Sequence, residues 1–283
     1  LSDQSHISTK AFGYTAAGAS DLGHLTLWAK GDTFIINTPN NCGGYVSIEG
    51  NLTTTSTSTG STWQTLTDAV QRNSGKLARR TNCSSFGEEM AARAPSALET
   101  GVQTRIQSDR DYVKVTGDFK HIGQNGGLFV QGAGKVTVNG KTEIDFKTKD
   151  GIGDAVIQSK NSSVWFNNEF SYTGNVTTDL FIDGEKGVTF NSASGPSTID
   201  YTQGTDPSAH IGIQSNAGTI AFKNKAFTFK SKSTGETQLW AGANITSTDN
   251  APLLFEYTVR NDGQNIDWYA GRDIDLSGTL TFK

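Results

Sequence analysis

Along most of the chain, short stretches in which apolar and polar residues alternate stop at a cluster of Gly, Asn or Ser and then resume. A period of two marks strands with one buried face, and the clusters are turn signals. Near the end the pattern is stated twice. Leu239-Trp240-Ala241-Gly242-Ala243-Asn244-Ile245 is echoed 29 residues later by Trp268-Tyr269-Ala270-Gly271-Arg272-Asp273-Ile274. Both phrases read as a strand, a small-residue corner and a second strand that restarts on Ile. The same shape occurs earlier, as Phe129-Val130-Gln131-Gly132 before Val136, Val156-Ile157-Gln158-Ser159 before Val164, Phe181-Ile182-Asp183-Gly184 before Val188, and Ile211-Gly212-Ile213-Gln214 before Ile220. Anchored on Phe129, Val156, Phe181, Ile213, Leu239 and Trp268, the steps are 27, 25, 32, 26 and 29. A drifting period in the twenties is the signature of a repeat array.

One such unit is too small to bury a core, so the units must stack on one another. Hairpin turns are not set at regular spacing between the strands, which favours parallel stacking. The expected fold is all-β: a right-handed parallel β-helix, or β-solenoid, of coils of about 25–29 residues. Coils rise by the strand spacing of about 4.8 Å, and both ends are expected to expose unpaired strand edges that other copies or neighbouring segments would cover.

The pattern divides the chain into three. Residues 1–62 hold a polar lead, a first coil-like run from Leu25 to Ile36, and a Thr- and Ser-rich stretch from Leu52 to Gly60. That stretch reads as a loop or edge strand, an O-glycosylated segment, or a flat Thr array of the ice-binding kind. Residues 63–111 change period. Six of the eight arginines lie here, and three capping-box phrases, opening at Ser61, Ser85 and Ser96, predict helices. The third would carry Leu98, Val102 and Ile106 on one face. This is a small α-helical insertion, either a binding module or a cap. Residues 112–283 return to solenoid coils, with lysines alternating against apolar residues as on the outer face of half-buried strands.

Composition narrows the function. A net charge of −4 offers no basic field for nucleic acid, and no apolar run is long enough to span a membrane. The only cysteines, Cys42 and Cys83, could form one disulfide or be two unrelated buried thiols. Asn51, Asn82, Asn161, Asn175 and Asn244 begin N-x-S/T sequons, candidates for N-glycosylation. His6, His24, His121 and His210 are isolated, no zinc spacing or nucleophile elbow occurs, and no metal, cofactor or catalytic residue is expected. Asp262, Asp267, Asp273 and Asp275 invite comparison with the paired carboxylates of glycan-cleaving enzymes. Asp273 and Asp275 share a strand face, but ordinary solvent-facing alternation requires the same pattern.

The phrase from Trp268 to Gly278, with its Ala270-Gly271-Arg272-Asp273-Ile274 centre, resembles the A-G-R-D-I-x-L phrase of filamentous-haemagglutinin-like exoproteins of bacterial two-partner secretion. The resemblance implies a right-handed β-helix at the cell surface, used for adhesion or as a stalk, without catalysis. The expected role is thus an extracellular, structural and adhesive solenoid, secreted or at the cell surface. Its partners would be other copies or neighbouring fibre segments, and carbohydrate or a cell-surface protein. Trp240, Trp268 and Tyr269 are the candidate sugar contacts. The alternative is a polysaccharide-degrading enzyme or phage tailspike on the same scaffold.

Overall fold

The computed structural model describes residues 46–48, 50–56, 104–108, 111–123, 127–146, 155–174, 178–202, 210–231, 237–248, 252–257 and 266–283, and before them the backbone of four strands. The chain visits three sheets in rotation, of nine, eight and ten strands. One coil runs through Leu128–Gly132, Val136–Val138 and Thr142–Asp145, one strand in each sheet. The next strand, Ala155–Ser159, pairs in parallel with Leu128–Gly132, and so a new coil begins. The fold is a parallel β-solenoid, and no helix occurs among the described residues.

Inward rows run from coil to coil. In the nine-stranded sheet, Val130, Ile157, Ile182, Ile213, Leu239 and Trp268 stand in register. Val113, Val136, Val164, Val188, Ile220, Ile245 and Ile274 do so in the eight-stranded sheet. These rows, up to Ile245 in the eight-stranded sheet, and the inner face of the ten-stranded sheet form one continuous core. Aromatic rings stack along it: Phe166, Phe190 and Phe222 lie at centroid separations of 5.2 and 5.6 Å with nearly parallel planes.

The register corrects one sequence anchor. Phe181 pairs with Gly212, not Ile213, so the true step is 31 residues. Phe129, Val156 and Phe181 form an outward row, whereas Ile213, Leu239 and Trp268 lie inward. A shift of one residue along a strand changes its face, and both rows are apolar enough to have been confused.

The drift of the period has a local cause. From Ser108 onward, corners from the nine- to the eight-stranded sheet are uniformly short, as between Gly132 and Val136, Ser159 and Ser163, or Ala241 and Ile245. Connections from the ten- to the nine-stranded sheet vary, from Ala29 to Thr33 up to Tyr201 to Ile211. The segment between Ser56 and Thr104 is attached at this same corner. Insertions into a solenoid are tolerated where they leave the stacked strands untouched.

The short corner explains the repeated Ala-Gly phrase. Gly242 donates to the Ser215 carbonyl at 2.7 Å, and Gly271 donates to the Ala241 carbonyl at 2.8 Å. A Cβ on Gly242 would fall on the Asn216 carbonyl, and one on Gly271 on that of Gly242. The phrase therefore encodes a corner whose main chain lies against the corner below. Gly242→Ala is expected to destabilise the fold by about 1–3 kcal/mol through overpacking. Denaturant unfolding measures this, and a loss below a few tenths of a kcal/mol would contradict the close-packed corner.

One further expectation is corrected. Ile106 does not extend a helical face: Thr104–Ser108 is a strand of the nine-stranded sheet with Ile106 in the core, so strand structure resumes before position 111. The rest of 63–110 lies outside the described residues, as do Cys42 and Cys83. At the first end of the stack the outermost strands of the three sheets are His6–Thr9, Val46–Ile48 and Tyr14–Ala16. His6–Thr9 pairs antiparallel with Thr33–Asn37, and Tyr14–Ala16 with His24–Ala29, so two of the sheets end there in an antiparallel strand. At the other end, Ile274, Leu280 and Phe282 are exposed.

Candidate functional site on the outer face of the nine-stranded sheet

Polar residues alternate with the inward row along the nine-stranded sheet, and the register sets them in a second row on the outside. Gln131, Gln158, Asp183, Gln214, Trp240 and Tyr269 succeed one another from coil to coil. Its first half is a side-chain ladder. Gln131 Nε2 donates to Gln158 Oε1 at 2.7 Å, and Gln158 Nε2 donates to Asp183 Oδ2 at 2.9 Å. Asp183 Oδ1 is buried without a hydrogen-bond partner. Burial pushes the Asp183 carboxyl up from the ordinary carboxylate range; the Gln158 hydrogen bond opposes this, and the nearby charge of Glu185 adds to it. The Glu185 carboxylate itself accepts from Asn216 Nδ2 at 2.9 Å.

The second half of the row is aromatic and open. Trp240 is 49% exposed and Tyr269 59%, with their rings edge to face at 5.9 Å. Exposed aromatics on a strand face are unusual enough to need a reason, since burial of such rings contributes much of a core's stability. Beside them, Phe181 lies against the backbone of Gly212, where a Cβ would come within 2.8 Å of its ring. Phe181, Asp183, Gly212, Gln214, Gln238 and Trp240 line a shallow depression of about 70 Å³. Its floor is glycine and its walls are aromatic, carboxamide and carboxylate.

Of the three candidate sugar contacts, Trp240 and Tyr269 thus face outward in adjacent coils. Trp268 does not join them. One position out of phase, it turns inward and packs against Phe255 at 5.3 Å. Trp165 faces outward from the eight-stranded sheet with Lys135 Nζ 3.5 Å from its ring. Sequence reasoning missed Asp183, Phe181 and Gln214. The signal was there in the apolar phrases themselves, whose alternate positions carry Gln, Gln, Asp and Gln before Trp and Tyr.

The remaining candidates scatter. Asp267, Asp273 and Asp275 are exposed, Asp267 on the nine-stranded sheet and Asp275 on the eight-stranded one, while Asp262 lies outside the described residues. Asn51 and Asn161 are exposed at corners, and the Asn51 side chain accepts the Asp118 amide at 2.8 Å. Asn244 is half-buried and accepts the Asp273 amide at 3.3 Å; Asn82 and Asn175 lie outside the described residues. In the Thr-rich strand, Leu52 and Thr54 point into the core, and residues 57–60 of the run lie outside the described residues. Lysines of the ten-stranded sheet pair across coils, as Lys120 with Glu143 at 2.6 Å, which fits a solvated outer face. Among the described residues no group of His, Cys, Asp or Glu could hold a metal ion, and no helix is long and apolar enough to cross a membrane.

The fold and the face define a parallel β-solenoid with an aromatic and polar outer strip. Compared with protein-family models, curated proteins and solved structures, the chain gives no match.

Proposed function

We propose that this chain is an extracellular structural and adhesive β-solenoid, a segment of a cell-surface or secreted fibre that binds carbohydrate or protein through its outer face. The observation that carries the reading is the pair Trp240 and Tyr269, held outward on a rigid sheet beside the Asp183 depression. Rigid aromatics present large amphipathic contact area at little conformational cost. The short resemblance to filamentous-haemagglutinin-like exoproteins agrees with it, although the Ala-Gly centre of that phrase is also what the corner geometry demands. Exposed sequons at Asn51 and Asn161 are compatible with a secreted glycoprotein. The apolar last coil, with Ile274, Leu280 and Phe282 exposed, is where other copies or neighbouring segments would stack.

Saturable retention on a polysaccharide- or mucin-coated surface tests this. The double variant Trp240→Ala, Tyr269→Ala is expected to lose tenfold or more in affinity with an unchanged melting temperature. Absence of retention on any such surface would contradict the adhesive role.

A second reading, a polysaccharide-degrading enzyme, is favoured by one observation. Asp183 is a carboxyl with a raised pKa beside a second carboxylate, Glu185, in a depression. Two carboxyl groups close together, one of them with its pKa raised by burial, are what glycoside cleavage uses. Release of reducing ends from a bound polysaccharide would establish it.

A further inference from the structure

Resting on the adhesive reading above, we infer that the ligand of the outer strip is a neutral glycan chain laid along the solenoid axis, its sugar rings stacked on Trp240 and Tyr269 and one hydroxyl donated to Asp183. The direction follows from the register. Asp183, Gln214, Trp240 and Tyr269 belong to four successive coils and stand in one row parallel to the axis. Three strand spacings make that row about 14 Å long, room for a short run of sugars.

The class of ligand follows from the groups that face it. The carboxamides of Gln214 and Gln238 lie beside the carboxylates of Asp183 and Asp267, and among the described residues no Lys or Arg lines the depression. A sulfated or uronic-acid chain would meet like charge here, whereas hydroxyl groups can donate to carboxylates and both donate to and accept from carboxamides. Asp183 is held in place for this. Its Oδ2 is fixed by Gln158, which is fixed in turn by Gln131, and a carboxylate oxygen with one donor can accept a second, while its Oδ1 is closed to solvent. An extended peptide is the poorer fit. Strands Leu180–Gly184, Ile211–Ser215 and Thr237–Ala241 each pair on both sides, so this face offers no free main-chain edge for strand addition.

Titration calorimetry of the full chain against neutral gluco-, manno-, galacto- and xylo-oligosaccharides, with heparin fragments and oligogalacturonate as anionic probes, tests the inference. Binding to at least one neutral series is expected, tightening with chain length up to a few sugars. Trp240→Ala should weaken it tenfold or more and Asp183→Ala at least severalfold, with Trp165→Ala on another sheet as an unaffected control. Binding to anionic probes alone, or neutral binding that Trp240→Ala and Asp183→Ala leave intact, would overturn the neutral-glycan site and leave adhesion standing. Failure to bind any of the glycans, together with failure to be retained on mucin or cell surfaces, would overturn both. The melting temperature of each variant shows whether a loss comes from the site or from the fold.

Discussion

Phe190→Ala lowers stability by about 3–5 kcal/mol, the range for deleting a buried aromatic ring. Phe190 is fully buried and touches four other rings. It stacks on Phe166 and Phe222, and it meets Phe170 and Phe227 edge-on at 5.3 and 4.8 Å. No neighbour can close the gap, because each is held in its own coil by backbone pairing on both sides. At about 2–4 °C per kcal/mol for chains of this size, the melting temperature falls by roughly 10 °C. In a solenoid the damage is also local, since each coil contacts only its neighbours. Hydrogen exchange is expected to speed up in Ser163–Phe166 and Thr219–Phe222 before it does in Val113–Val115. Calorimetry and exchange mass spectrometry together test this; a loss under 1 kcal/mol would mean that the stack does not hold the coils together.

The second large effect is on acid stability. His121 sits in the core of the ten-stranded sheet, fully buried, with Nδ1 2.8 Å from Thr54 Oγ1, Nε2 unpartnered, and the Phe146 ring 5.5 Å away. Burial lowers its pKa from 6.5 to about 3. The unfolded chain therefore takes up a proton between these values and the folded chain does not. Stability is fully present above pH 6.5 and declines as pH falls, by about 1.4 kcal/mol per unit until the folded group itself titrates near 3. Asp179 and Asp183 act in the opposite sense, because burial raises their pKa values and their neutral forms suit the fold better. Between pH 6.5 and 5 the His121 effect is expected to dominate, since the ordinary carboxylate range lies below this window. Urea midpoints measured across that window should fall in the native chain and stay nearly level in His121→Leu. Equal slopes in the two proteins would contradict the buried, uncharged histidine.

How much of this was legible in the sequence depends on how local the signal was. The solenoid could be read from apolar alternation, because each strand carries its own period of two and each corner its own Gly or Ser. Register was not, because Phe129, Val156 and Phe181 are apolar on the outward face and mimic a core row; pairing partners 25 to 31 residues apart decide which row is inside. The strand at Thr104–Ser108 was hidden for the same reason, Ile106 fitting both a helical face with Leu98 and Val102 and a strand beside Val130. The site was half visible. Trp240 and Tyr269 could be picked out as aromatics in polar company, but Asp183 gains its meaning only from the coil below, where Gln158 fixes it. His121 could not be found at all from sequence, since Thr54, its partner, lies 67 residues away.

An adhesive role requires the outer strip to hold a glycan without cutting it. The direct measurement is the chain-length distribution, by mass spectrometry, of a polysaccharide that the protein retains, taken before and after prolonged contact at saturating protein. Retention through Trp240 with an unchanged distribution is the result expected of an adhesive solenoid. Shortened chains, with cleavage abolished in Asp183→Asn, would contradict it and make the Asp183–Glu185 pair a catalytic site.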